Sequence, residues 1–131
     1  SLKQFYLQGN RLFSMPDLSS LHHLKELNLG DWIGGNQLKV LENLPNGLKR
    51  LSVCNNQLEW ISLPVGLEYL DASFNLLTFM PPTNRALREL RVCGNKITHI
   101  PTRFYQTTRN LTFLDVSMNE LVERVHEIPG V

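Results

Sequence analysis

The chain has 131 residues, 42% of them hydrophobic, a formal charge of +1, and no apolar run approaching the ~18 residues of a membrane-spanning helix. This length suits one domain, and the near-neutral balance argues against a nucleic-acid or anionic-membrane partner, which needs a clustered basic face. Six asparagines, Asn10, Asn36, Asn56, Asn75, Asn95 and Asn119, recur at one place in a frame, LxxLxLxxNxL, that begins at Leu2, Leu24, Leu48, Leu67, Leu87 and Leu111. The first, fourth and sixth frame positions are apolar, so each repeat offers one short strand whose buried side is completed only by its neighbours. Each asparagine falls where that strand ends, and its amide can both donate and accept for backbone groups that lose their ladder partners there.

In chain order, the first frame, LKQFYLQGNRL, leads into MPDLSSLHHL. There Leu18, Leu21 and Leu24 fall at helical spacing behind Asp17, and a short helix is expected. The second frame reads LKELNLGD and reaches Asn36 only after four extra residues, Trp32, Ile33, Gly34 and Gly35. This insertion predicts a loop bulging from the strand's C-terminal edge, with Trp32 either projecting as a contact anchor or folding back over the sheet. Frames three and four, LPNGLKRLSVCNNQL and LPVGLEYLDASFNLL, are entered through Pro and Gly rather than through a helical segment, and the steps from Asn56 to Asn75 to Asn95 are 19 and 20 residues. Such short repeats predict an extended back. PTRFYQTTRNL, before the sixth frame, has room for one helical turn. Past it, Leu121, Val125 and Ile128 return to helical spacing.

The resulting architecture is a leucine-rich-repeat solenoid of α/β class: a curved parallel sheet of about six strands with mostly extended convex connectors. Residues 1–121 form the array, and 122–131 are expected to be a partial cap or the lead-in to a further domain. Because the chain starts at Ser1 directly before a repeat, it is expected to be a fragment of a longer protein.

Strand alternation sends the third, fifth and seventh frame positions, with the eighth at the strand end, onto the concave face. Aromatic and arginine side chains there match the anchors that dominate protein interfaces. The candidate partner-binding residues are Tyr6, Asn28, Trp32, Arg50, Tyr69, Asp71, Phe74, Arg91, Phe113 and Asp115. The same aromatics can instead simply pack across neighbouring strands. On the convex side, Val40, Trp60, Phe79 and His99 follow one another in one column, as an outer layer of the core or as a docking ridge; the core layer is the expectation. Cys54 and Cys93 share a frame position two rungs apart, about 10 Å, beyond the ~7 Å limit for a disulfide. They are expected to be free thiols in a reducing environment, without a histidine base beside them. No cofactor, metal-ligand spacing or catalytic motif is evident, and the expected partner is another protein rather than nucleic acid, membrane or a small-molecule substrate.

The repeats LPNGLKRLSVCNNQL and LPVGLEYLDASFNLL resemble those of bacterial leucine-rich-repeat effectors of the YopM and IpaH-like group, most closely over Leu44 to Pro101. This resemblance implies secretion from a bacterium into the host cytosol and binding of a host protein through the repeat surface. One branch carries a separate C-terminal ubiquitin-ligase domain, so the chain can alternatively be the substrate-recognition half of a larger enzyme. The ligase motif is a cysteine followed two residues later by an aspartate. Here Cys54 precedes Asn55-Asn56 and Cys93 precedes Gly94-Asn95.

Overall fold

A computed structural model describes residues 1–82 and 84–122. Six strands lie in one parallel sheet in the order β1 to β6: β1 Gln4–Tyr6, β2 Glu26–Gly30, β3 Arg50–Val53, β4 Tyr69–Asp71, β5 Glu89–Arg91 and β6 Phe113–Asp115. Register follows the frame without slippage, with Phe5, Leu27, Leu51, Leu70, Leu90 and Leu114 side by side. The one irregularity among the described strands is a bulge between Asn28 and Gly30, just before the four-residue insertion.

The predicted ladders form the core. In the inner rungs Leu24, Leu48, Leu67 and Leu87, and Leu29, Val53, Ala72 and Val92, are fully buried. At the ends of the described array Leu2 is 48% and Leu121 36% exposed, since a terminal rung has a neighbour on one side only.

The asparagines behave as hydrogen-bond bridges. Asn75 Nδ2 donates to the carbonyls of Ala72 (3.1 Å) in its own rung and Val53 (2.9 Å) in the preceding one, while its Oδ1 accepts from the backbone N–H of Leu58 (3.0 Å). Asn36 makes the same contacts to Leu29, Leu7 and Leu12 despite the insertion before it, so the extra residues are extruded rather than absorbed.

Among the described residues the convex connectors hold one helix, α1 Thr102–Thr107, in the stretch expected to hold a turn. The connectors before β3 and β4 reach the next strand through a tight turn closed by the first-position leucine, Leu48 N–H to Pro45 O and Leu67 N–H to Pro64 O, both 3.2 Å. The helix expected behind Asp17 is absent. Asp17 Oδ1 accepts from the Ser19 N–H (2.9 Å), and Leu21 and Leu24 each bond back three residues, to Leu18 and Leu21. Leu18 and Leu24 are buried, so their spacing reflects two successive turns against the core rather than a helix. The terminal helix expected over 122–131 lies outside the described residues apart from Val122.

Candidate functional site

Concave side chains come from the third and fifth frame positions, where strand alternation holds. The guanidinium of Arg50 sits 4.2 Å from the ring centre of Tyr69, its neighbour in register. That of Arg91 lies 4.1 Å from the ring of Phe113, one strand over and diagonal. Both geometries are cation–π contacts, and they splint two long flexible side chains against flat rings. Tyr69 lies between the two arginines. Burial, and then the charge of Asp71, push its phenol above the ordinary value, opposed by Arg91 and Arg50.

Asn28, Asp71 and Asp115, all at the fifth position, share a local task. Each turns an Oδ1 onto the backbone N–H two residues on: Gly30 (3.0 Å), Ser73 (3.1 Å) and Ser117 (3.0 Å). Asp115 also accepts from the Ser117 hydroxyl, and these bonds hold its carboxyl below the ordinary range. They are side-chain turns closing the strand end. Each leaves its second terminal atom outside that turn.

The next positions depart from simple alternation. Cys54 and Ser73, expected on the concave surface, are buried, because the strand has ended and the chain is turning inward. The eighth position has φ between 54° and 76° in five repeats, at Gly9, Asn55, Phe74, Gly94 and Met118. For glycine and asparagine this left-handed backbone is ordinary, but a phenylalanine there carries strain of about 1–2 kcal/mol. The Phe74 ring, 45% exposed, lies over Gly94, where any side chain would collide with it.

Trp32 is 87% and Ile33 75% exposed, so the insertion projects and does not fold back over the sheet. Its base is tightly held. Asp31 Oδ1 accepts from the N–H groups of Ile33 (2.9 Å) and Gly34 (3.3 Å). Asn55 Nδ2 donates to Asp31 O (2.7 Å), and Gly35 O accepts from Gly9 N–H (3.1 Å). Gly35 packs so close to Asn55 that a Cβ would fall 1.8 Å from its carbonyl oxygen.

Eight of the ten residues selected from the sequence line one concavity of about 420 Å³, with Trp32 and Phe74 among its walls. Tyr6 stands outside it on the first rung, and Phe113 borders it through Arg91. Residues outside those ten also contribute, among them Asp31, which builds the loop, Gly94, which seats Phe74, and Cys54, which lines the concavity. Asp31 had a legible signal, an acidic residue just before a glycine-containing insertion.

No protein-family model matches the chain. Lumican of Oryctolagus cuniculus is 32% identical over 140 residues, a match covering 98% of this chain and 68% of that protein. The chain belongs to the leucine-rich-repeat family. A Shigella effector leucine-rich-repeat domain superposes with a TM-score of 0.81 at 28% identity, covering 94% of this chain and 52% of the other. YopM from Yersinia enterocolitica gives 0.75 at 29%, covering 93% and 30%. The resemblance to bacterial effectors is therefore matched in three dimensions, while the sequence relatives are animal proteins. The leucine-rich-repeat chain spans only 23% and 33% of the first two curated relatives.

Elsewhere on the leucine-rich-repeat surface one expectation is overturned. Val40, Trp60 and Phe79 are 45%, 53% and 68% exposed, so the convex column is not an outer layer of the core. The last-ladder residues Leu41 and Ile61 beneath already seal the back, leaving this column outside. Phe79 and His99 meet edge to face at 6.5 Å. Cys54 and Cys93 are unbridged. Burial, then a hydrogen bond to and the charge of Asp71, push the Cys54 thiol up to about 12, so it is protonated and non-nucleophilic at neutral pH. Among the described residues no three His, Cys, Asp or Glu side chains are grouped to hold a metal, and no helix is long and apolar enough to cross a membrane.

Proposed function

We propose that this protein-binding leucine-rich-repeat module belongs to a secreted bacterial effector and captures a host protein on its concave sheet. One observation carries the reading: Arg50 on Tyr69 and Arg91 on Phe113 present two pre-ordered cation–aromatic pairs beside one concavity flanked by Trp32 and Phe74. Rigid aromatic and arginine anchors around a recess are the arrangement in which few residues supply most of the binding energy, because little side-chain entropy is left to lose. Likeness to two bacterial effector structures supports the source, and the unpaired cysteines suit a reducing host cytosol.

The test is affinity capture from host cytosol with wild type, a Tyr69→Ala/Phe113→Ala double variant that removes both rings without changing charge, and Trp60→Ser as a convex control. Specific proteins recovered by wild type and by the control should be lost from the double variant, whose circular dichroism stays unchanged. Equal recovery by the folded double variant would remove the concave face from the reading.

A further inference from the structure

The concave rows have a charge opposite to that of the whole chain. At the third and fifth positions four carboxylates, Glu26, Asp71, Glu89 and Asp115, stand against two guanidiniums, Arg50 and Arg91, in a chain whose formal charge is +1. A further carboxylate, Asp31, lines the same concavity below the projecting Trp32. The two guanidiniums are already engaged. Each stacks on a ring. Lys25, Lys49 and Arg88, along the N-terminal edge of the strands, are also occupied. Lys25 and Lys49 donate to the Gly47 and Gly66 carbonyls, and Lys49 and Arg88 pair with Glu68. By contrast, Asp31 and Asp71 make no ion pair among the described residues, and both face a recess that Trp32 and Phe74 also line.

We infer that the partner enters as an extended basic protein segment, one of whose lysine or arginine side chains occupies the recess lined by Trp32 and Phe74, with its charge on Asp71 and Asp31. This rests on the concave reading proposed above and specifies its partner's chemistry. Three physical features favour a cation. The indole face is the strongest aromatic partner for one. The carboxylates act inside a recess, where screening is weaker than on an open surface. The Phe74 wall is fixed before binding by its seat on Gly94, and the turn that Asp31 builds holds the backbone of the loop that carries Trp32. An acidic segment would instead bring its charge against the unpaired carboxylates of the recess.

The test uses fluorescence anisotropy with labelled synthetic peptides of repeating Arg-Ser-Gly and repeating Glu-Ser-Gly. Asp71→Asn is the informative variant, because asparagine keeps the Oδ1 that accepts from Ser73 and so preserves the turn while removing the charge. Glu59→Gln, on the exposed opposite side, is the control. Wild type and Glu59→Gln should bind the arginine peptide about tenfold or more tightly than the glutamate peptide, the scale of one desolvated charge pair. Asp71→Asn should lose most of that preference, and added salt should weaken wild-type binding. Equal affinity for the two peptides, or an unchanged preference in Asp71→Asn, would overturn the inference. If the arginine peptide fails to bind while Tyr69→Ala/Phe113→Ala still abolishes host-protein capture, the basic segment is wrong and the concave reading stands. If the peptide binds as expected and capture is unaffected, the reverse holds.

Discussion

The ring of Phe74 rests on the bare Cα of Gly94, so close that a methyl group built on Gly94 would fall 2.5 Å from the ring's Cδ1. Both residues have left-handed backbone, at φ 56° and 68°. One supplies an exposed aromatic at a conformational cost, and the other supplies the vacancy that fixes where it lies.

Two substitutions separate these contributions. Phe74→Asn should leave stability unchanged or raise it by about 0.5–1 kcal/mol, since asparagine tolerates this backbone and already occupies the equivalent position as Asn55. It should nevertheless weaken partner capture. Gly94→Ala should destabilise by about 1–2 kcal/mol and also displace the ring. Urea unfolding read beside capture checks both. A Phe74→Asn protein that is clearly less stable would mean the ring is structural rather than poised for contact.

Removing an interior asparagine should cost far more than removing the first. Asn75→Ala strands the Leu58 N–H and takes a donor from the Val53, Ala72 and Ser73 carbonyls, which predicts a loss of about 2–4 kcal/mol. Asn10 is exposed and, among the described residues, donates to the Leu7 carbonyl alone, so Asn10→Ala should cost about 1 kcal/mol or less. Similar urea midpoints for the two variants would contradict the hydrogen-bond account.

Cys54 should resist alkylation in the native protein at neutral pH and react freely once urea unfolds it. Its thiol is buried and its pKa is displaced to about 12, leaving almost no thiolate. Peptide mapping after timed iodoacetamide treatment reads this directly. Rapid native labelling at Cys54 would show that the floor of the concavity opens.

The sequence disclosed most where side chains repeat. Register, ladders, the asparagine bridges and eight of the ten residues around the recess followed from a frame in which position implies facing. It misled where facing is decided locally. Leu18, Leu21 and Leu24 satisfy helical spacing, yet Asp17 and two successive turns bring them to the core. Trp60 and Phe79 looked apolar enough to be wall, but Leu41 and Ile61 had already closed it. Cys54 and Ser73 lie one and two residues past their strands, where alternation stops. Gly94 carried no signal of its own, since the need for glycine there arises from a ring on the adjacent rung.

The asparagine bridges point one way. Each side chain from Asn36 onward reaches back to the rung before it, accepting from that rung's N–H and donating to its carbonyl, as Asn95 does toward Leu77 and Ala72 and Asn119 toward Ile97 and Val92. A rung is thus finished by its successor rather than by its predecessor. Among these asparagine bonds, peeling the array from its high-numbered end strips partners from the backbone of the rung left behind, whereas peeling from the low-numbered end idles one side-chain amide. Fraying, truncation tolerance and stepwise hydrogen exchange should therefore differ between the two ends, although the leucine ladders running through both are nearly the same.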